Sequence, residues 1–114
     1  IVVVEGAGGL MSPLADDTYN ADLAREFRFP LIIVAANELG TISATLQTVI
    51  TAERYELPVA GIVLNNVVAP GNDASAESNC EELTSRCDVP LLTEVAHRGG
   101  FDRTIDWWEQ AARY

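Results

Sequence analysis

The chain opens with a carboxylate beside a glycine-rich turn. The apolar run Ile1-Val2-Val3-Val4 ends at Glu5-Gly6-Ala7-Gly8-Gly9. Glycine leaves backbone N–H groups open to an anion, and a carboxylate oxygen is a ligand that Mg²⁺ prefers. We therefore predict a turn that binds an anion or a metal ion. The alternative is an ordinary glycine-rich turn with a solvated Glu5.

Two adjacent asparagines, Asn65 and Asn66, follow another apolar run. Their amides offer both donors and acceptors, which suits the edge of a nucleotide base. Asparagine is equally typical of turns that bind nothing. Both interpretations stay open from the residues alone.

No pattern in the chain supports nucleophilic catalysis, and we assign no catalytic residue. His97 is the only histidine and lacks Ser-His-Asp or Cys-His partners at a suitable spacing, so a structural hydrogen bond is its expected role. The pair Asp16-Asp17 offers two carboxylates to a cation, but a solvated loop is the expected structure.

The two cysteines, Cys80 and Cys87, lie in a segment with a helical pattern. On a helix their separation is about 10 Å, which is too long for a disulfide. No second Cys or His pair accompanies them, so a metal site is not indicated. We expect free, buried thiols in a cytoplasmic protein.

The composition indicates a single globular domain over residues 1–114. Acidic residues number 17 against seven basic ones, and the formal net charge of −10 argues against nucleic acid or an anionic membrane surface as a partner. The longest apolar stretch, residues 31–36, is too short to span a bilayer. No basic segment precedes the opening run, as it would in a signal peptide.

The chain contains no lysine. A P-loop uses a lysine to reach the terminal phosphates of a nucleotide, so a P-loop is not contained in this chain. If the protein handles ATP, its main phosphate-binding loop lies elsewhere. Because the chain begins without Met and directly at a strand-like run, we expect the carboxyl-terminal part of a longer polypeptide.

Apolar runs alternate with segments of helical periodicity along the chain. The predicted strands are residues 1–4, 30–36, 59–67 and 90–95. The predicted helices are residues 21–27, 41–56, 74–87 and 102–114. This alternation indicates an α/β fold with a mostly parallel sheet and flanking helices. Trp107 and Trp108 cannot share one face of the last helix, so one is expected on the sheet and the other at an edge or interface.

The carboxyl ends of parallel strands meet at one end of a sheet, where open α/β folds bind ligands. The segments expected to cluster there are Glu5–Gly8, Asn37–Gly40, Asn65–Asn66 and Glu94–His97. This end of the sheet is the predicted ligand surface.

Several segments, in the right order, resemble the dethiobiotin synthetases. They are residues 2–14, 30–35, 39–48, 61–66 and 89–95, and together they cover nearly the whole chain. The Glu-Gly-Ala-Gly segment alone also resembles the cobyrinic-acid amide synthases.

The resemblance implies a P-loop NTPase-like three-layer fold and a ligase of biotin biosynthesis. In that family 7,8-diaminopelargonate, carbon dioxide and ATP give dethiobiotin, ADP and phosphate, with Mg²⁺ as the metal ion. A carbamate forms on the diamine, is phosphorylated, and closes onto the neighbouring amine. Without the P-loop half, the isolated chain is expected to be inactive.

The resemblance also implies roles for individual residues, with Glu5 as the Mg²⁺ ligand. The implied nucleotide-binding residues are Glu5, Gly6, Ala7, Gly8, Asn65, Asn66, Ala96, His97 and Arg98. The implied substrate-binding residues are Gly8, Gly40, Thr41, Ile42 and Ser43. The last four match a helix N-terminus that, in the family's homodimer, receives the substrate carboxylate of the opposite subunit, as free N–H groups would favour.

Three positions depart from the family's pattern. Ser43 stands where the family often has Asn, Glu38 where it often has a basic residue, and Ala96 where it often has Pro. Glu38 would repel a carboxylate bound nearby.

Two other functions stay open at this point. One is the synthetase part of a cobyrinic-acid amide-forming protein, and the other is a non-catalytic relative that dimerises or binds a partner. An uncovered sheet edge would favour association, so we expect a homodimer or a higher oligomer.

Overall fold

The computed structural model describes residues 2–71, 73–100, 105–106, 109 and 112–113. Its elements, in chain order, are β1 (Pro13–Ala15), β2 (Thr18–Tyr19), α1 (Asn20–Phe27), β3 (Leu31–Ala36), α2 (Thr41–Arg54), β4 (Val59–Asn65), α3 (Ala76–Arg86) and β5 (Leu91–Val95). Strands and helices alternate from β3 onward, which confirms the α/β prediction. No helix of the described residues is long and apolar enough to cross a membrane.

Strands β3, β4 and β5 form a parallel sheet with β4 in the centre. The register pairs Ala36 with Asn65 and Asn65 with Val95, so all three strands end at the same level. The central strand is almost entirely buried, which fits its nearly unbroken apolar sequence. The sheet therefore has one common carboxyl end, as predicted.

One face of the sheet packs on α2 and α3. Ile33 and Ile62 form a cluster with Val49 of α2, and Leu64 forms a second cluster with Leu83 of α3. Full burial of a side chain of this size stabilises a fold by about 1.5 to 3 kcal/mol. These two clusters hold both helices against the strands whose ends carry the candidate site.

The buried residues of helix α2 recur at spacings of three or four positions, which places them on one face of a helix. They are Thr41, Thr45, Val49 and Ala52. Gly40 immediately precedes the helix with φ 95°, a left-handed conformation that glycine adopts without steric penalty. Gly40 is therefore the N-cap of α2.

The predicted strand at residues 1–4 is wrong for the part that is described. Residues 2–4 lie outside any strand, and Val2 and Val3 are 73% and 87% exposed. A strand needs a neighbour for its backbone N–H and C=O groups, and no described strand lies beside this run. An apolar run alone does not reveal whether that neighbour is present.

The second face of the sheet is open at β3. Ile32 and Val34 point to this face and are 44% and 66% exposed. Among the described strands, β3 pairs with β4 alone. The uncovered edge considered from the sequence is therefore present at β3.

Strands β1 and β2 form a small antiparallel hairpin that the sequence analysis did not predict. Asp16 and Asp17 form its exposed turn. Further along the chain, Cys80 and Cys87 are free thiols, as predicted, but both are half-buried where full burial was expected.

The predicted helix over residues 102–114 lies mostly outside the described residues, and Trp107 and Trp108 are among those outside. Within the described part, Glu109 and Ala112 are helical. The Glu109 N–H donates to Asp106 Oδ1 at 2.9 Å.

Candidate functional site

Polar side chains from three strands meet at the carboxyl end of the sheet. Asn37 follows β3, Asn66 follows β4, and Glu94 lies near the end of β5. Asn37 Nδ2 donates to Asn66 Oδ1 at 2.8 Å, and Asn66 Nδ2 donates to Glu94 Oε1 at 2.8 Å. The predicted clustering of these three segments is confirmed.

Helix α3 adds a residue to this cluster that the sequence analysis missed. Asn79 is 2% exposed, and its Nδ2 donates to Asn37 Oδ1 at 2.9 Å and to the Glu38 carbonyl oxygen at 3.2 Å. It lies one turn before the buried Leu83. A polar residue on the apolar face of a helix is the signal that would have identified it.

The two adjacent asparagines have different environments. The Asn66 backbone N–H donates to the Val95 carbonyl oxygen at 2.9 Å, and its Nδ2 donates to the same oxygen at 3.0 Å. Together with the bond to Glu94, these contacts use both amide hydrogens of Asn66 within the protein. The side chain of Asn65 is half-exposed and makes no hydrogen bond with the described residues.

The loop that follows β5 makes a tight turn at residues 96–98. The Gly99 N–H donates to the Ala96 carbonyl oxygen at 2.7 Å, and Arg98 has φ 53°. The turn starts directly after Val95, which is hydrogen-bonded to the end of β4. The segments predicted to contact a purine therefore lie on neighbouring strand ends.

The glycine-rich turn is held by α1. Asn20 Nδ2 donates to the carbonyl oxygens of Ala7 and Gly9, each at 3.0 Å. Gly8 has φ 79°, and a Cβ there would overlap Ser12 Oγ, so a glycine is required at this position. The turn thus has a defined shape within this chain.

The position of this turn corrects the expected grouping of residues 5–8 with the strand ends. Leu10, next to the turn, packs in a cluster with Leu31 and Val59, which begin β3 and β4. No hydrogen bond among the described residues joins residues 5–8 to the carboxyl end of the sheet. The physical reason is that residues 2–4 have no strand neighbour and therefore do not run along the sheet. The turn that follows them is not brought to that end.

Glu5 offers a single exposed carboxylate. The described residues contain no group of three or more His, Cys, Asp or Glu side chains that could hold a metal ion. Mg²⁺ often takes one or two protein carboxylates, keeps several waters and binds substrate phosphates. Among the described residues, the donors therefore fit one ligand of a Mg²⁺–nucleotide complex, and not a complete metal site.

The predicted substrate residues at positions 40–43 form the N-cap and first turn of α2. No side chain caps this helix, and the N–H groups of Ile42 and Ser43 make no hydrogen bond with the described residues. Unpaired N–H groups at a helix N-terminus favour an anion. The exposed Glu38 lies just before this turn and opposes an anion there.

Asp73 fixes the loop before α2. Its Oδ2 accepts a hydrogen bond from the Leu39 N–H at 2.9 Å, and its Oδ1 accepts from the Ser75 hydroxyl at 2.6 Å and the Ser75 N–H at 2.9 Å. The hydrogen bonds from Ser75, and then the one from Leu39, lower the pKa of the Asp73 carboxyl below its ordinary value of 3.8.

Comparison with known proteins identifies the family to which this chain belongs. A family model described as an AAA domain matches residues 1–103. The chain therefore belongs to this AAA-domain family, which is P-loop NTPase-like.

Named relatives are more specific. The ATP-dependent dethiobiotin synthetase of Anoxybacillus flavithermus is 39% identical over 114 residues, which cover 95% of this chain and 51% of the relative. The synthetase of Anaeromyxobacter dehalogenans strain 2CP-C is 48% identical over 94 residues, 80% of this chain and 42% of the relative. That of Bacillus subtilis strain 168 is 40% identical over 90 residues, 79% of this chain and 38% of the relative.

These relatives confirm the resemblance to dethiobiotin synthetases. The chain spans between 38% and 51% of the length of the three relatives described. The named relatives also favour this family over the cobyrinic-acid amide synthases.

Proposed function

We propose that this chain forms the base-binding and substrate-positioning part of an ATP- and Mg²⁺-dependent dethiobiotin synthetase. The reaction converts 7,8-diaminopelargonate, carbon dioxide and ATP to dethiobiotin, ADP and phosphate. The observation that carries the proposal is the meeting of Asn65 and the 96–98 loop at one end of a parallel sheet, in a chain similar to named synthetases over most of its length.

The purine contact is assigned mainly to Asn65. Its amide makes no hydrogen bond with the described residues, whereas both amide hydrogens of Asn66 are used within the protein. An open amide donates to and accepts from a base edge at the same time, which an adenine with its amino group and ring nitrogen requires. In this proposal Asn66 and the loop of Ala96, His97 and Arg98 form the walls beside the base.

The phosphate and metal contacts are assigned to Glu5 and to the backbone of Gly6, Ala7 and Gly8. When bound, Mg²⁺ would neutralise phosphate charge, with Glu5 as one of its ligands. The chain has no lysine for the terminal phosphates, so that contact belongs to another part of the polypeptide. In the structure this turn lies away from the carboxyl end of the sheet. The proposal therefore requires that a strand neighbour from the rest of the polypeptide draws residues 1–4 into the sheet and brings the turn to the end where the base is bound.

The diamine substrate is assigned to residues 40–43 together with Gly8. The open N–H groups of Ile42 and Ser43 hold the substrate carboxylate, and in a homodimer they receive it from the opposite subunit. This anchoring would leave the two amines for carbamate formation, phosphorylation and ring closure. Such an anchor would also orient the second amine towards the carbonyl carbon. The proposed setting is the cytoplasm.

The decisive experiment uses the full-length polypeptide that carries this chain. Incubation with ATP, Mg²⁺, bicarbonate and 7,8-diaminopelargonate is expected to yield ADP and dethiobiotin in equal amounts, measured by mass spectrometry. The 114-residue chain alone is the control and is expected to give no turnover. ADP release that does not depend on the diamine, or turnover by the isolated chain, would contradict the proposal.

A further inference from the structure

The hydrogen bonds at the carboxyl end of the sheet form a chain with one direction. Asn79 donates to Asn37, Asn37 donates to Asn66, and Asn66 donates to Glu94. Each asparagine amide could in principle turn over and exchange its oxygen and nitrogen. The groups at the two ends of the chain decide the orientation.

Groups that only accept hydrogen bonds stand at both ends. The Glu38 carbonyl oxygen accepts from Asn79 Nδ2 at 3.2 Å, which turns the Asn79 nitrogen towards it. The Glu94 carboxylate and the Val95 carbonyl oxygen accept from Asn66 Nδ2. Because neither a carbonyl nor a carboxylate donates, reversal of any amide would set two acceptors against each other.

Asn37 is the central member of this chain. It is fully buried, its Oδ1 accepts from Asn79, and its Nδ2 faces Asn66 at 2.8 Å, with the Ala76 carbonyl oxygen at 3.2 Å and Glu94 Oε1 at 3.3 Å. Its partners lie directly after β4, on β5 and on α3, so this buried amide has one accessible orientation. It therefore fixes the orientation of the Asn66 amide next to it.

The orientation of Asn66 matters for the gap beside it. Its N–H and its Nδ2 both bond to the Val95 carbonyl oxygen, which joins the end of β4 to the residue before the 96–98 loop. These bonds, together with the pairing of Asn65 with Val95 in the sheet, hold the end of β4 against the start of that loop. Reversal of the Asn66 amide would place its oxygen against the Val95 oxygen and widen the gap.

We propose that Asn37 and Glu94 are positioning residues for the purine site: together they hold the Asn66 amide in the orientation that sets the gap between Asn65 and the 96–98 loop. The inference rests on the proposed function, because it concerns the same base site. Asn37 and Glu94 should therefore affect binding of the base and not binding of the phosphates.

The test compares ATP with a ligand that has no base, in the full-length polypeptide. Asn37→Asp replaces the donor by an oxygen that faces Asn66 Oδ1 and the Glu94 carboxylate. We expect the Kd for ATP to rise about tenfold, the factor that loss of about one hydrogen bond produces. The inhibition constant of inorganic tripolyphosphate and kcat at saturating ATP are expected to stay unchanged. A merely structural role would change all three together.

Variants of Glu94 keep the test decisive if Asn37→Asp does not fold, because Glu94 is exposed. Glu94→Ala removes the acceptor and is expected to weaken ATP binding in the same way. Glu94→Gln keeps an acceptor oxygen and is expected to restore at least half of the lost affinity. Unchanged ATP binding in folded Asn37→Asp or in Glu94→Ala would overturn the proposal, as would a parallel rise in the tripolyphosphate constant. An unsubstituted protein that binds no ATP would instead overturn the proposed function.

Discussion

The carboxylate of Asp73 accepts a hydrogen bond from the backbone N–H of Leu39, and this bond joins the loop before α3 to the loop before α2. Leu39 directly precedes Gly40, the N-cap of α2. The two loops therefore share one anchor. Loss of that anchor affects both the stability of the fold and the shape of the first turn of α2.

The first prediction concerns the pH dependence of this anchor. The pKa of Asp73 is lower in the folded state than its ordinary value of 3.8, so its carboxylate stabilises the fold above that pH. This contribution is lost as the pH falls through the lowered pKa. Urea unfolding of the full-length protein should show a lower midpoint for Asp73→Asn than for the unsubstituted protein at pH 7, and a smaller difference at pH 3. The exposed Asp88→Asn variant serves as the control. A difference of constant size at both pH values would refute the prediction.

A second prediction concerns Thr45, whose Oγ1 is buried and has no hydrogen-bond partner among the described residues. Thr45→Val removes this hydroxyl with little change in shape. Because an unpartnered buried hydroxyl is destabilising, the free energy of unfolding should rise by about 1 kcal/mol. Thr48→Val is the matched control, since Thr48 Oγ1 donates to the Ala44 carbonyl oxygen at 2.9 Å, and it should bring no gain. Equal effects of the two substitutions, measured by urea unfolding, would count against this account.

A third prediction concerns the glycine-rich turn. Asn20→Asp removes both hydrogen bonds that hold the carbonyl oxygens of Ala7 and Gly9. We expect stability to fall by about 1 to 3 kcal/mol, because those carbonyls then face a carboxylate. Affinities for Mg²⁺–ATP and for tripolyphosphate should fall together, since the turn is assigned to the phosphates. Calorimetric titration of both ligands measures this. A loss confined to ATP would place the turn at the base and contradict the assignment.

A fourth prediction separates the two adjacent asparagines. Asn65→Ala removes an amide that is open to ligand, so KM for ATP should rise about tenfold while the melting temperature stays the same. Asn66→Ala removes bonds to Glu94 and Val95, so the melting temperature should fall as well. Steady-state kinetics and thermal unfolding of the full-length protein distinguish the two. If Asn65→Ala melts early and Asn66→Ala does not, the roles are reversed.

The sheet and its site differ in how far the sequence determined them. Apolar runs and helical periodicity are local signals, and they were sufficient to place β3, β4 and β5 and the polar residues that follow them. The opening run was misassigned because strand formation depends on a neighbour, which residues 2–4 lack. The hydrogen-bond partners of Asn79 and Asp73 were also not predicted. Their bonds reach across 42 and 34 positions of the chain, so only packing brings the groups together.

The one-directional hydrogen-bond chain from Asn79 to Glu94 has a consequence for the thermodynamics of binding. Its amides are oriented by folding, before any ligand arrives. A base that enters beside Asn66 therefore meets a preorganised wall, and little side-chain entropy remains to be lost on association. If nucleotide binds at this end of the sheet as proposed, its binding should be accompanied by little structural change.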